Sequence, residues 1–120
     1  MNVAFLTTGH CPFDDRIFFH FARALSDEGN IVEIISSKTD LRETVEGISL
    51  DCFDGYSLPK KEKITRLSEK LSLFNPDIVI CSEPLAVAAA KKYSRTWKKE
   101  VRIIYDITEW YPSKDRKSVV

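Results

Sequence analysis

The sequence predicts a doubly wound α/β domain: five mostly parallel strands with helices on both faces. Three observations carry this. Short apolar runs recur along the chain, at 3–7, 31–35, 77–81 and 101–106. Amphipathic stretches of helical period lie between them. The connections are brief and rich in Gly, Asn and Pro, as in βαβ units. The length of 120 residues fits one domain.

Val3 to Thr7 reads as a buried first strand that ends in a turn at Gly9. Asp14 or Asp15 can cap the helix that follows, because a carboxylate there accepts orphan N–H groups and meets the positive end of the helix dipole. Ile17, Phe18, Phe21, Ala22 and Leu25 form its apolar stripe, and Gly29 closes it. Ile31 to Ile35 is the second strand. Ser37 to Glu46 is polar and reads as irregular. Gly47 to Phe53 alternates weakly and suits a third strand near the sheet edge.

Lys60 to Phe74 is the second helix, with Ile64, Leu67, Leu71 and Phe74 inward, stopped by Asn75-Pro76. Asp77 to Cys81 is a fourth strand whose continuous apolar run suits a central parallel position. Ser82-Glu83-Pro84 opens an alanine-rich helix that runs to about Tyr93. Val101 to Asp106 is the fifth strand. The strand order expected is 3-2-1-4-5, with the switch point between the first and fourth strands.

Composition narrows the function. Apolar residues make up 43% of the chain, and 18 basic side chains balance 18 acidic ones, so overall charge gives no sign of a nucleic-acid partner. Cys11, Cys52 and Cys81 form no metal or disulfide pattern, which fits a cytoplasmic setting. No apolar run approaches the ~20 residues that span a bilayer, and the first residues lack the pattern of a secretory signal. Lys91, Lys92, Arg95, Lys98 and Lys99 gather at the end of the third helix. A solvated face is the plain reading; peripheral contact with an anionic membrane is the sharper one. Phe19, Trp110 and Tyr111 have no evident core position and suit a surface that another domain covers.

Chemistry concentrates at three strand ends. Gly9, His10, Asp14, Asp15 and Arg16 follow the first strand, Ser82 and Glu83 the fourth, and Asp106, Thr108 and Glu109 the fifth. In a parallel sheet these ends share one edge, where ligands bind. Each residue also has a plain role: a turn for Gly9, a helix cap for one aspartate or Ser82, solvation for His10. No G-x-G-x-x-G, P-loop or G-x-S-x-G elbow is present, and neither His has a metal-ligand partner at helical spacing.

Three segments carry a resemblance. His10-Cys-Pro-Phe-Asp14-Asp15-Arg16-Ile17-Phe18, with the Ala-Arg-Ala-Leu helix and the Ile31 to Ile35 strand, resembles the start of glycosyltransferase family 4 proteins. Asn75 to Glu83 resembles that family's fourth-strand segment, and Tyr105 to Tyr111 its D-x-H-E-x-Y segment. The resemblance covers nearly the whole chain but only the N-terminal domain of such enzymes. It implies the GT-B fold, in which two Rossmann-like domains face across a cleft. The C-terminal domain, with its nucleotide-sugar site and paired glutamates, is absent here, so the implied role is the acceptor-binding half, inactive alone.

The implied reaction is transfer of a sugar from a nucleotide-sugar to a saccharide or lipid-linked acceptor, as in polysaccharide biosynthesis, with retention of configuration and no metal or other cofactor. The resemblance implies that Gly9 lets backbone approach the ligand and that His10 and Arg16 hold acceptor or phosphate oxygens. Asp15 orients Arg16 or caps the helix, and Glu83 and Glu109 bind acceptor hydroxyls. Two departures bear on this: Thr108 stands where the family has His, and Ser82-Glu83 stands where His-Asp is common. Thr hydrogen-bonds but cannot carry the charge of a histidine. The departure admits an inactive homologue kept as a partner subunit. The alternative of another class is a free-standing flavodoxin-like binding or regulatory module. A phosphorylation receiver is disfavoured by Asp14-Asp15 at the helix start and by the lack of a Lys closing the fifth strand.

Overall fold

The computed structural model describes residues 1–8, 16–55 and 57–105, and for 16–19 the backbone only. Its elements run β1 (Asn2–Thr7), α1 (Arg16–Asp27), β2 (Ile31–Ser36), β3 (Leu41–Val45), β4 (Ile48–Cys52), α2 (Lys60–Phe74), β5 (Ile78–Cys81), α3 (Pro84–Trp97) and β6 (Arg102–Tyr105). They form one sheet of six strands in the order β3-β4-β2-β1-β5-β6. All neighbours pair in parallel except β3 with β4.

The five expected strands keep their expected order. The correction is β3. The stretch read as irregular forms an antiparallel edge strand, joined to β4 by the two-residue turn Glu46-Gly47, with Val45 opposite Ile48. Both turn residues have positive φ, 53° and 84°, as the tight hairpin turn matching the strand twist requires. The expected third strand is therefore one position in from the edge. At the other edge, β6 has β5 as its one strand neighbour among the described residues, with Ile104 and Tyr105 exposed.

The two sheet faces have separate cores, as the alternation of side chains in a strand demands. Val3, Phe5, Val32, Ile34, Ile48, Leu50 and Ile80 pack with Ala22 of α1. Ala4, Leu6, Ile35, Val79 and Cys81 pack with Leu67 and Leu71 of α2 and Ala86, Ala89, Ala90 and Tyr93 of α3. The alanines let α3 lie close. The crossover helices thus change face between β1 and β5, which makes that pair the switch point.

The helix ends follow local chemistry. Asn75 takes the left-handed conformation after α2, and its N–H bonds the Leu71 carbonyl. The third helix is longer than expected, ending at Trp97 with Lys98 as its left-handed cap. In α1 the stripe is only partly covered: Ala22 is buried, but Phe21 is 43% exposed while its ring meets Phe5 edge to face at 5.6 Å. Among the described residues no helix is long and apolar enough to cross a membrane.

Candidate functional site at the carboxyl ends of the strands

Residues at and just past the ends of β1, β2, β4 and β5 are joined by a hydrogen-bonded rim. Gly55 N–H donates to Ser37 O at 2.9 Å. Ser37 N–H donates to Thr7 O at 3.3 Å, and its hydroxyl to Thr8 O at 3.3 Å. Thr8 N–H then donates to Glu83 Oε1 at 2.8 Å, spanning the switch point between β1 and β5. The Ser82 hydroxyl donates to the same oxygen at 2.5 Å.

Glu83 owes its position to two local facts. The parallel ladder continues one step past β5, with Ser82 N–H on Leu6 O at 3.2 Å. Pro84 then starts α3 and leaves Glu83 extended at its N-cap. A carboxylate there commonly bonds its own helix's N–H groups, but this side chain makes no such bond. It reaches across to Thr8 instead. A hydrogen bond to an ionised acceptor is roughly twice as strong as a neutral one, so the exit of β1 is fixed to the start of α3.

Small polar residues line this edge beneath the rim: Thr7, Ser36, Ser37 and Ser82 are all buried. Among the described residues Thr7 Oγ1 has no hydrogen-bond partner. Gly55 is needed for close approach, since a Cβ there would lie 2.8 Å from the Phe53 ring and 3.3 Å from Ser37 Cβ. Cys81 ends β5 just below. Burial, and then the charge of Glu83, push its thiol up to about 12, so it is a packing residue rather than a nucleophile. Cys52 is pushed up to about 12 in the same way, chiefly by burial.

Of the residues singled out in the sequence, Glu83 lies on this edge with its side-chain contacts defined. Arg16 is the first residue of α1. Gly9, His10, Asp14, Asp15, Asp106, Thr108 and Glu109 lie outside the described residues. The Thr8–Glu83 bond ties the end of β1 to the start of α3. The roles of Ser37 and Gly55 were missed. The signal available was a pair of small hydroxyl residues closing an apolar strand.

A separate groove of about 450 Å3 lies on the sheet surface beside α2, lined by Glu33, Ser49, Asp51, Lys70 and Leu73 among others. Its charges answer one another. Lys70 meets Asp51 at 2.9 Å and Arg42 meets it at 3.5 Å. The Ser49 hydroxyl donates to Glu33 at 3.1 Å. Burial, with Asp51 adding to it, pushes the Glu33 carboxyl up to about 7. Among the described residues no group of three or more His, Cys, Asp or Glu is placed to hold a metal.

No protein-family model matches the chain, and no curated protein matches it in sequence. Among solved structures, one similar chain is a lipopolysaccharide outer core galactosyltransferase, WaaB, in its apo form. It shares 21% identity over 86% of this chain and 32% of its own, with a TM-score of 0.62. Two variants of a Serratia marcescens short-chain dehydrogenase/reductase overlay at a TM-score of 0.48, with 15% and 16% identity over 78% of this chain and 51% and 52% of theirs. This chain spans about a third of the galactosyltransferase structure, and at that identity the likeness is one of fold: an α/β, Rossmann-like architecture also found in a glycosyltransferase.

Proposed function

We propose that this chain is the N-terminal, acceptor-side domain of a retaining glycosyltransferase of the GT-B type, related to family 4. In this reading a second domain binds a nucleotide-sugar, and the two close over an acceptor. The bond from the sugar's anomeric carbon to the nucleoside diphosphate breaks. A bond to an acceptor hydroxyl forms, and the hydroxyl proton leaves. The acceptor is a saccharide or a lipid-linked saccharide, handled on the cytoplasmic side of a membrane. This domain alone does not turn over.

The observation that carries the reading is the Thr8–Glu83 bond at 2.8 Å. It ties the end of β1 to the start of α3, at the switch point where ligands of open α/β sheets bind. The fold shared with one part of a galactosyltransferase supports it further. In the reading, His10 and Arg16 hold acceptor or phosphate oxygens, Thr108 and Glu109 add hydrogen bonds from the end of β6, and Glu83 lies within reach of acceptor hydroxyls. No metal or other cofactor is needed.

The test is the mass of the protein in its source cells against the 13.8 kDa of this chain, followed by sugar transfer from radiolabelled nucleotide-sugars. The expected outcome is a polypeptide about three times larger, as a second domain of similar or greater size requires, whose transfer activity falls at least about tenfold in Arg16→Ala. A native mass equal to this chain, with no partner chain co-purifying, overturns the reading.

A further inference from the structure

The end of α3 and its passage into β6 hold a marked excess of positive charge. Residues 91–102 contain six cations, Lys91, Lys92, Arg95, Lys98, Lys99 and Arg102, and one acid, Glu100. The whole chain has a formal net charge of zero, so the remainder is net negative. Lys92 is half-buried and the other five are exposed. None of the six makes an ion pair among the described residues. Elsewhere four cations pair: Arg23 with Glu46, Arg42 and Lys70 with Asp51, and Arg66 with Glu62.

The helix dipole does not account for the cluster. It favours cations only within the last turn, whereas Lys91 and Lys92 lie well before the end of α3 at Trp97. Lys91 and Arg95, four apart on one helix face, repel each other, as do Arg95 and Lys98. Trp97 sits among them. It is 38% exposed, and its ring is held against Tyr93 at 5.8 Å between centroids. The indole is thus anchored on one side and open on the other. A helix end with long cationic stems around a part-exposed indole suits a bilayer interface: tryptophan rings settle at headgroup level, and lysines keep their ammonium groups among phosphates while their stems lie on apolar surface. Nucleic-acid strands are more often held in basic grooves with stacking platforms, and the described grooves are lined by other residues.

We propose that this surface docks the protein onto anionic phospholipid, with Trp97 at the headgroup level. Because α3 starts beside the carboxyl ends of the strands and runs back, the surface lies at the far end of the helix from Glu83. The docked protein keeps its carboxyl edge clear of the bilayer. The proposal stands independently of sugar transfer.

The test is sedimentation of the chain with vesicles of phosphatidylcholine alone and of phosphatidylcholine with about 30% phosphatidylglycerol. A Trp110→Phe background lets emission report Trp97. The expected result is binding to the anionic vesicles only, a blue shift of emission, and loss of binding as salt rises to about 0.5 M. The triple variant Lys91→Glu/Arg95→Glu/Lys98→Glu lowers partitioning by at least about tenfold, since each cation near the surface contributes about fivefold. The milder Lys91→Gln/Lys98→Gln/Lys99→Gln lowers it in the same direction, should the reversal unfold the helix. Lys60→Glu/Lys61→Glu/Lys63→Glu removes equal charge from α2 and leaves binding within about twofold. Absence of binding, equal loss in the α2 variant, or tighter retention on duplex DNA than on anionic vesicles overturns the proposal.

Discussion

Glu83 shows how far a residue's role can depart from its position along the chain. Its place before a helix-opening proline marks an N-cap, and at a strand end it marks a ligand contact, yet its described bonds go to Thr8 N–H and the Ser82 hydroxyl. Glu83→Ala leaves both donors without that acceptor. The expected cost is about 2 kcal/mol, the range for hydrogen bonds to charged groups, with faster exchange of the Thr8 amide. Glu83→Gln keeps one oxygen in place and recovers about half. Equal exchange in both variants and the parent would show the bond to be idle. Thr7 runs the other way. It is 1% exposed and its hydroxyl has no partner among the described residues, so Thr7→Val removes a buried polar group that none of them satisfies. The melting temperature is expected to rise, by about 1 kcal/mol of stability. A fall would mean that the hydroxyl is bonded after all.

Among the elements, the β3–β4 hairpin and the strand carrying Glu33 make the clearest predictions. Gly47, at φ 84°, has a conformation that a side chain adopts only with strain. Gly47→Ala is expected to cost about 1 kcal/mol, read from denaturant unfolding. An unchanged midpoint would show that the turn relaxes freely. Glu33 shares its sheet face with Ser49 and Asp51 of β4 and lines one groove with Lys70 of α2, but Lys70 is committed to Asp51. Its carboxyl, ordinarily near 4.5, is held at about 7 in the folded chain. The folded protein therefore binds a proton there that the unfolded chain has released. Stability from this group is full below pH 4.5 and is lost as pH rises through about 7. Glu33→Gln is expected to flatten the melting profile across that window. Above it, the variant gains about 1 to 2 kcal/mol after allowing for the solvent that still screens the group. A parent profile that rises with pH across the same window contradicts this.

At the scale of the whole molecule, the legible parts of the sequence are those where one physical signal suffices. Continuous apolar runs identified β1, β2 and β5 as buried parallel strands, and Asn75-Pro76 gave the end of α2 to the residue. The hairpin escaped because its turn is Glu46-Gly47 rather than Asn-Gly, and because an edge strand such as Leu41–Val45 exposes most of its side chains and carries little apolar alternation. The carboxyl edge was legible as a place, since it follows from strand order. The rim across it was not, because Gly55 acts through its backbone, Ser37 through its backbone and its hydroxyl on a distant carbonyl, and Glu83 through a partner 75 residues away, none of which leaves a local pattern.

The two flanks of the sheet also differ in what they permit. β3 runs against its neighbour and exposes Arg42 and Glu43, so it repels another strand. β6 runs with its neighbour and exposes Ile104 and Tyr105 beside one charge, Arg102, so among the described residues it is the more apolar edge. The two edges therefore differ in what a further strand would meet: opposite charges beside β3 and mainly apolar side chains beside β6. A truncation before Val101 would shift that edge onto the wholly apolar Ile78–Cys81, a bare ladder prone to clumping.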